Sequence, residues 1–183
     1  MSRINRLAQS YGKYIAVPWR EDAAALQRVI FCVYHETEES RLRAKFGEFD
    51  ISTRTAHHGW ARFDLTDSFP NWLATQRYAK SYFQKPALLS TLLPKYLDYI
   101  ETEFDAFLQA NHVDDTFVVA LSGVGSLFGF LKVKIVVDRL APKVQGRLLV
   151  FFPGSYEDNN YRLLDGYDGW NYLAVPITAD KIF

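Results

Sequence analysis

Apolar residues in the first segment, "SRINRLAQSYGKYIAV", recur at Ile4, Leu7, Ala8, Tyr11 and Ile15. Steps of three and four residues put them on one face of a helix, predicted over 2–16 and packed on the rest of the chain. The period then changes. "RVIFCVYH", Arg28 to His35, is continuously apolar with β-branched and aromatic members, the pattern of a strand covered on both faces. "ETEESRLRAKFGEF" returns to helical spacing through Leu42, Phe46 and Phe49, with acids in its first turn, where they suit the helix dipole. "WARFDLT" alternates Ala61, Phe63 and Leu65 with Arg62 and Asp64, a strand with one wetter face.

Asp67 stands as an N-cap for a helix through "SFPNWLATQRYA". Pro86 suits the first turn of the longest helix, whose stripe runs from Leu89 through Leu93, Leu97 and Phe104 to Leu108. Pro94 should kink or divide that helix. A strand at "TFVVALSG", a helix across "SLFGFLKVKIVVDRLAPKV" and a strand at "RLLVFFPG" follow. The tail, "YRLLDGYDGWNYLAVPI", places Asp165, Gly166, Asp168 and Gly169 between two strand-like runs and reads as an antiparallel hairpin or a long irregular turn. The order predicts one α/β domain over 1–183. Its expected form is a three-layer sandwich around a largely parallel sheet, Rossmann-like or degenerate P-loop-like, closed by the C-terminal hairpin.

Composition narrows the function. Lys plus Arg and Asp plus Glu number 21 each, so the chain lacks the basic excess of a dedicated nucleic-acid binder. Arg3, Arg6, Lys13 and Arg20 could support direct DNA binding, but on a short helix they read as a solvated face. Cys32, the only cysteine, sits in an apolar run and excludes a disulfide framework or a cysteine metal site. No secretory pattern and no apolar stretch near 18 residues is evident, so a cytoplasmic location is expected. Aromatic residues make up 16 %, enough to feed a core or an interface.

The stretch that invites chemistry is "FVVALSGVGSLFGFL". A P-loop counted from Gly123 needs a glycine at 128, a lysine at 129 and a hydroxyl at 130; the chain has Phe128, Gly129 and Phe130. The dinucleotide fingerprint fails too, since its third glycine arrives one place late, at Gly129. What remains is a corner of small residues, Gly123, Gly125 and Ser126, with Ser126 as N-cap of the next helix. It reads either as a tight structural turn or as a weak anion site at a helix N-terminus. Nothing indicates a cofactor.

His57 and His58 are adjacent and face opposite ways, so they are poor co-ligands, and no metal is expected. Glu157, Asp158, Asp165 and Asp168 miss the calcium-loop pattern and read as turn formers. Tyr156, Tyr161, Tyr167 and Trp170 crowd the same region and are candidates for a partner interface.

Together with "PWR" and "EESRLRAKF", the series "SGVGSLF", "FFPG", "YRLLD" and "NY" resembles the BrxB family of bacteriophage-exclusion (BREX) defence systems. The resemblance implies an intracellular accessory or scaffolding subunit. It would work with a PglZ-type alkaline-phosphatase-like protein, a large ATPase and a DNA methyltransferase, supporting host DNA methylation and phage exclusion. It supplies no catalytic residues. Against this non-catalytic reading stands a nucleotide or phosphate sensor or enzyme built on the glycine corner.

Overall fold

The structure is a computed structural model. It describes residues 1–183 except Tyr78, Asn171, Tyr172 and Phe183, and the side chains of Tyr82, Phe83 and Trp170 also lie outside the described set. Helices α1 (Arg3–Ile15), α2 (Glu39–Arg43), α3 (Phe46–Thr55), α4 (Ser68–Ala74), α5 (Ala79–Gln84), α6 (Leu93–Ala110) and α7 (Val133–Leu140) alternate with strands. The strands are β1 (Val29–Tyr34), β2 (Gly59–Asp64), β3 (Phe117–Ser122), β4 (Arg147–Glu157), β5 (Asn160–Leu163), β6 (Gly166–Trp170) and β7 (Val175–Ile177).

The sheet is open and mixed, with a parallel middle in the order β2-β3-β4-β1-β7. Strand periodicity sorts its side chains between two cores. Val29, Phe31 and Val33 of β1, with Val119, Leu121, Leu148, Val150 and Phe152, join residues of α4, α6 and α7. Ile30, Cys32 and Tyr34, with Val118, Ala120, Leu149 and Phe151, join α1, α2 and α3. This is why these strands read as unbroken apolar runs: both faces are dry. The α1 stripe is wholly buried, and Tyr11 Oη lies 2.6 Å from Thr53 Oγ1, satisfying two polar atoms that burial would otherwise penalise.

Beyond Pro153, β4 leaves its pairing with β1 and continues as an antiparallel meander with β5 and β6. Gly154 permits the turn of partners, since a Cβ there would overlap the Arg162 carbonyl oxygen. The β4–β5 link is a tight turn with positive φ at both Asp158 (50°) and Asn159 (62°), the twist that right-handed hairpins need.

Four expectations are corrected. The helix expected across 126–144 is only α7. Val124–Leu127 is a 3-10 turn, and Gly129, at φ 83°, breaks the chain before the helix can start. The long helix from Pro86 is a 3-10 segment, Pro86–Thr91, followed by α6, with Pro94 in the first turn, where its missing N–H costs nothing. The helix expected across "ETEESRLRAKFGEF" is split into a 3-10 turn at Glu36–Glu38, α2 and α3, the last two parted at Ala44 and Lys45. "AVPI" is no arm of the hairpin: β7 runs parallel to β1 at the sheet edge, a place that tolerates Pro176.

Candidate functional site

The carboxyl ends of β1 to β4 open onto a cleft of about 340 Å³, lined by Glu36, Glu39, Arg43, Thr66, Gly123, Gly125, Ser126, Pro153 and Leu164. This is the side of an open α/β sheet where ligands usually sit. The predicted corner residues Gly123, Gly125 and Ser126 therefore do share a cleft.

Their local roles are structural. Gly123 adopts φ 71°, and a Cβ on it would collide with Thr66 Oγ1 and lie 2.6 Å from Asp64 Oδ1. The Ser126 hydroxyl lies 2.8 Å from the Gly123 carbonyl oxygen and 2.9 Å from that of Leu65, tying the exit of β3 to the exit of β2. Ser126 is consequently not the N-cap expected of it. The helix N-terminus that follows belongs to α7, and a residue of β6 holds it. The buried Asp168 carboxylate accepts from Val133 N at 2.8 Å and from Lys134 N at 3.2 Å. A carboxylate there is what the helix dipole and the unpaired first-turn N–H groups attract, and the chain provides its own.

The charged part of the cleft is a chain of contacts that the sequence reading did not assemble. Arg43 donates to Glu39 Oε1 (2.9 Å), to Asp64 Oδ2 (3.3 Å) and to Thr66 Oγ1 (2.7 Å). Tyr34 donates to the other Glu39 oxygen. Arg62 reaches Ser122 Oγ at 2.9 Å and Asp64 at 3.7 Å, and lies 4.4 Å from the Phe46 ring centroid. Burial favours the neutral form of Asp64, yet hydrogen bonds from Thr66 and the Arg43 guanidinium outweigh it and hold the carboxyl down to about 2. Burial and the Glu39 carboxylate push the Tyr34 phenol up. Only the Glu39–Arg43 spacing of four residues could have signalled this network.

These groups set the chemistry. Two carboxylates on the cleft wall, Glu36 and Glu39, face one guanidinium, Arg43, that is already paired with Glu39 and Asp64, so the cleft is not an anion cradle. Among the described residues, no group of three or more His, Cys, Asp or Glu side chains could hold a metal ion.

The aromatic candidates separate. Tyr161 is 1 % exposed, packed 4.8 Å from Phe31 and 5.6 Å from Phe152, and is core; its assignment to an interface is corrected. Tyr156 is half-buried against Tyr161 and donates to Asn159 Oδ1 at 2.9 Å. Tyr167 is 50 % exposed. The side chain of Trp170 lies outside the described residues. Phe128, 44 % exposed and missed by the sequence reading, lies so close to Gly166 that a Cβ there would come within 2.7 Å of its ring. With Lys132, whose amine is 5.6 Å from the Tyr167 ring, Phe128 and Tyr167 line a depression of about 240 Å³.

Elsewhere, Arg3 and Arg6 approach Asp180 at 4.0 and 3.5 Å, and Arg20 pairs with Asp22, so the N-terminal basic residues are partly neutralised. Among the described residues, no helix is long and apolar enough to cross a membrane.

The family model described as BREX protein BrxB matches residues 69–176, more than half of the chain. The match takes in "SGVGSLF", "FFPG" and "YRLLD" but not "PWR" or "EESRLRAKF". No curated protein and no solved structure matches the chain.

Proposed function

The chain belongs to the BrxB family and is a component of a BREX phage-defence system, and we propose that it acts there, in the cytoplasm, as a non-catalytic docking subunit for a PglZ-type alkaline-phosphatase-like protein. The same reading takes the scaffold as a degenerate Rossmann-like sandwich whose nucleotide corner is spent on structure. In this role it supports host DNA methylation and phage exclusion, with the large ATPase and the methyltransferase as further contacts. In this role the chain does not itself bind DNA.

The observation that carries the reading is the exposed pair Phe128, on the segment before α7, and Tyr167, on β6, with Lys132 beside Tyr167. Neighbouring exposed rings with an amine at their edge are the kind of anchor that interfaces use, because large rigid rings bury much area at little entropic cost. The self-capped α7 supports it further, since the helix terminus a phosphate would need is taken by Asp168.

Mixing the purified chain with the PglZ-type protein tests this by calorimetry or co-elution. A complex should form, and Tyr167→Ala and Phe128→Ala should each weaken it about tenfold or more, with the unfolding temperature nearly unchanged. Tyr161→Ala should instead cost about 3–5 kcal/mol of fold stability, as loss of a buried ring does. Failure of two folded proteins to associate at micromolar concentration would count against the reading.

The cleft at the carboxyl strand ends favours a second reading, a nucleotide or phosphate-ester sensor at Gly123, Gly125 and Ser126. A panel of nucleotides with magnesium should raise the unfolding temperature under that reading and leave it unmoved under the first.

A further inference from the structure

The opposite end of the sheet holds a second cavity, of about 360 Å³, at the amino ends of β4 and β7. Arg147, the first residue of β4, lines it and is only 7 % exposed. A guanidinium so deeply placed ordinarily has a carboxylate partner, because burying an unpaired charge is costly. Among the described residues Arg147 has none. Two of its donors go to backbone carbonyl oxygens, of Gly146 and Arg20, both at 3.1 Å, and its face lies 4.7 Å from the Trp19 ring centroid. A guanidinium carries five N–H donors, so the rest have no acceptor among the described residues.

Among the described residues the surroundings offer Arg147 no free carboxylate, and Gln27 Oε1 on the wall already accepts from Ala24 N at 2.9 Å. The Trp19 indole N–H and the Arg28 Nε are buried without partners. Two other Arg28 donors go to the Ala23 and Val144 carbonyl oxygens. Tyr14, also on the cavity wall, has no hydrogen-bonded hydroxyl among the described residues. Asp22 is committed to the exposed Arg20. Burial, against the opposing influence of Tyr14 and with the smaller help of the Arg28 charge, holds the Arg147 guanidinium below its usual range. The rest of the wall is Arg20, already paired with Asp22, and Gln27, with the apolar Val17, Pro18, Ala23, Leu173 and Val175.

We propose that this cavity is a binding site for a carboxylate carried on an apolar body, with the carboxylate taken by the free edge of Arg147 and the body by Trp19 and the apolar wall. One buried guanidinium matches one monoanion in charge and in bidentate geometry. The volume suits a ligand of roughly one ring and a short chain. The carboxylate could be that of a free metabolite or the C-terminal carboxylate of a peptide. The site is separate from the docking surface around Tyr167, so either can fail without the other.

The test uses 3-phenylpropionate and its uncharged amide as probes on the full chain, followed by amide-proton NMR and thermal unfolding. The acid should move the Trp19 indole resonance, assigned with Trp19→Phe, and raise the unfolding temperature, while the amide should bind about tenfold more weakly or worse, having lost a charged hydrogen-bond partner. Arg147→Met should abolish the effect. If that variant does not fold, Val17→Trp, which adds bulk at an exposed position on the wall, should weaken binding instead. A peptide ending in Phe with a free carboxylate, set against its amidated form, separates the two sources; preference for the free form assigns the site to peptide ends, and indifference leaves the small acid as its ligand. No response of the Trp19 resonance to the acid, or equal response to acid and amide, overturns the proposal.

Discussion

Removing the carboxylate of Asp168 tests the central structural claim, that the chain occupies its own anion site. Asp168 is 3 % exposed and sits on β6, yet its two oxygens accept from Val133 N and Lys134 N of α7. In Asp168→Ala the buried Val133 N–H loses its acceptor, at about 1–3 kcal/mol, and α7 loses an N-cap worth about 1 kcal/mol. Partial hydration of the Lys134 N–H returns some of this, so about 2–3 kcal/mol is the expected net loss. For a domain of this size that corresponds to roughly 5–10 °C in unfolding temperature. Asp168→Asn keeps one acceptor oxygen and the side-chain volume but gives up the charge, and should lose about 1 kcal/mol. Urea titration followed by circular dichroism reads both, as a lower midpoint at unchanged slope. A second readout addresses the anion directly. Millimolar sulfate should stabilise Asp168→Ala more than the native chain, because only the variant has a vacant helix N-terminus. Native-like urea midpoints in Asp168→Ala would refute the capping argument. Equal sulfate responses would refute the inference that the cap blocks an anion.

Gly123→Ala should destabilise by about 2 kcal/mol or more, since a left-handed φ and a collision with Thr66 both oppose a Cβ. Gly125→Ala, whose Cβ would meet only Pro153 at 3.4 Å and Leu164 at 3.9 Å, should stay within about 1 kcal/mol; the two are compared by urea midpoints, and equal effects would make the corner a ligand feature, not a turn. Asp64 has a folded value of about 2 against an ordinary 3.8, so its contribution is complete above about pH 4 and disappears as pH falls towards 2. Stability of the native chain should therefore decline through that window more steeply than that of Asp64→Asn, and parallel profiles across pH 2–5 would refute the assignment. Cys32 is fully buried and burial pushes its thiol up, so a chromogenic disulfide reagent should leave it untouched in the native chain and titrate it fully in urea.

Legibility from the sequence followed the range of the interaction. The α1 stripe and the dry strands β1, β3 and β4 are local patterns, and each is buried as its spacing implies. Pro94, read as a kink or a division, does divide the segment expected to open at Pro86, and stands in the first turn of α6. Tyr161 could have been recognised: in "NYRL" it shares a face with Leu163 while Arg162 points outward, so alternation alone places it in the core. The Asp168 cap was hidden because its partners lie 34 and 35 residues earlier, and an Asp-Gly pair advertises a turn first. Asp64 and Thr66 meet locally, but Arg43 reaches them across 21 and 23 residues, a distance no local pattern shows. The turn at Asp158 and Asn159 lacks the glycine that usually announces a two-residue hairpin, so β5 merged with the tail.

The zero formal charge conceals an asymmetry along the strand axis. At the carboxyl ends, where α/β sheets usually bind anions, Asp168 takes the helix N-terminus and Glu39 and Asp64 take the guanidinium of Arg43. At the amino ends the balance is reversed: Arg147, Arg28, Tyr14 and Trp19 bring donors, and among the described residues they meet only two pairs of backbone carbonyl oxygens. Burial of a cation without counter-charge is a standing cost, and a fold keeps it only where something else repays it. The amount is measurable in the free chain. If Arg147→Met folds and is as stable as the native chain or more so, while 3-phenylpropionate stabilises only the native chain, the guanidinium is retained for what it binds and not for the fold.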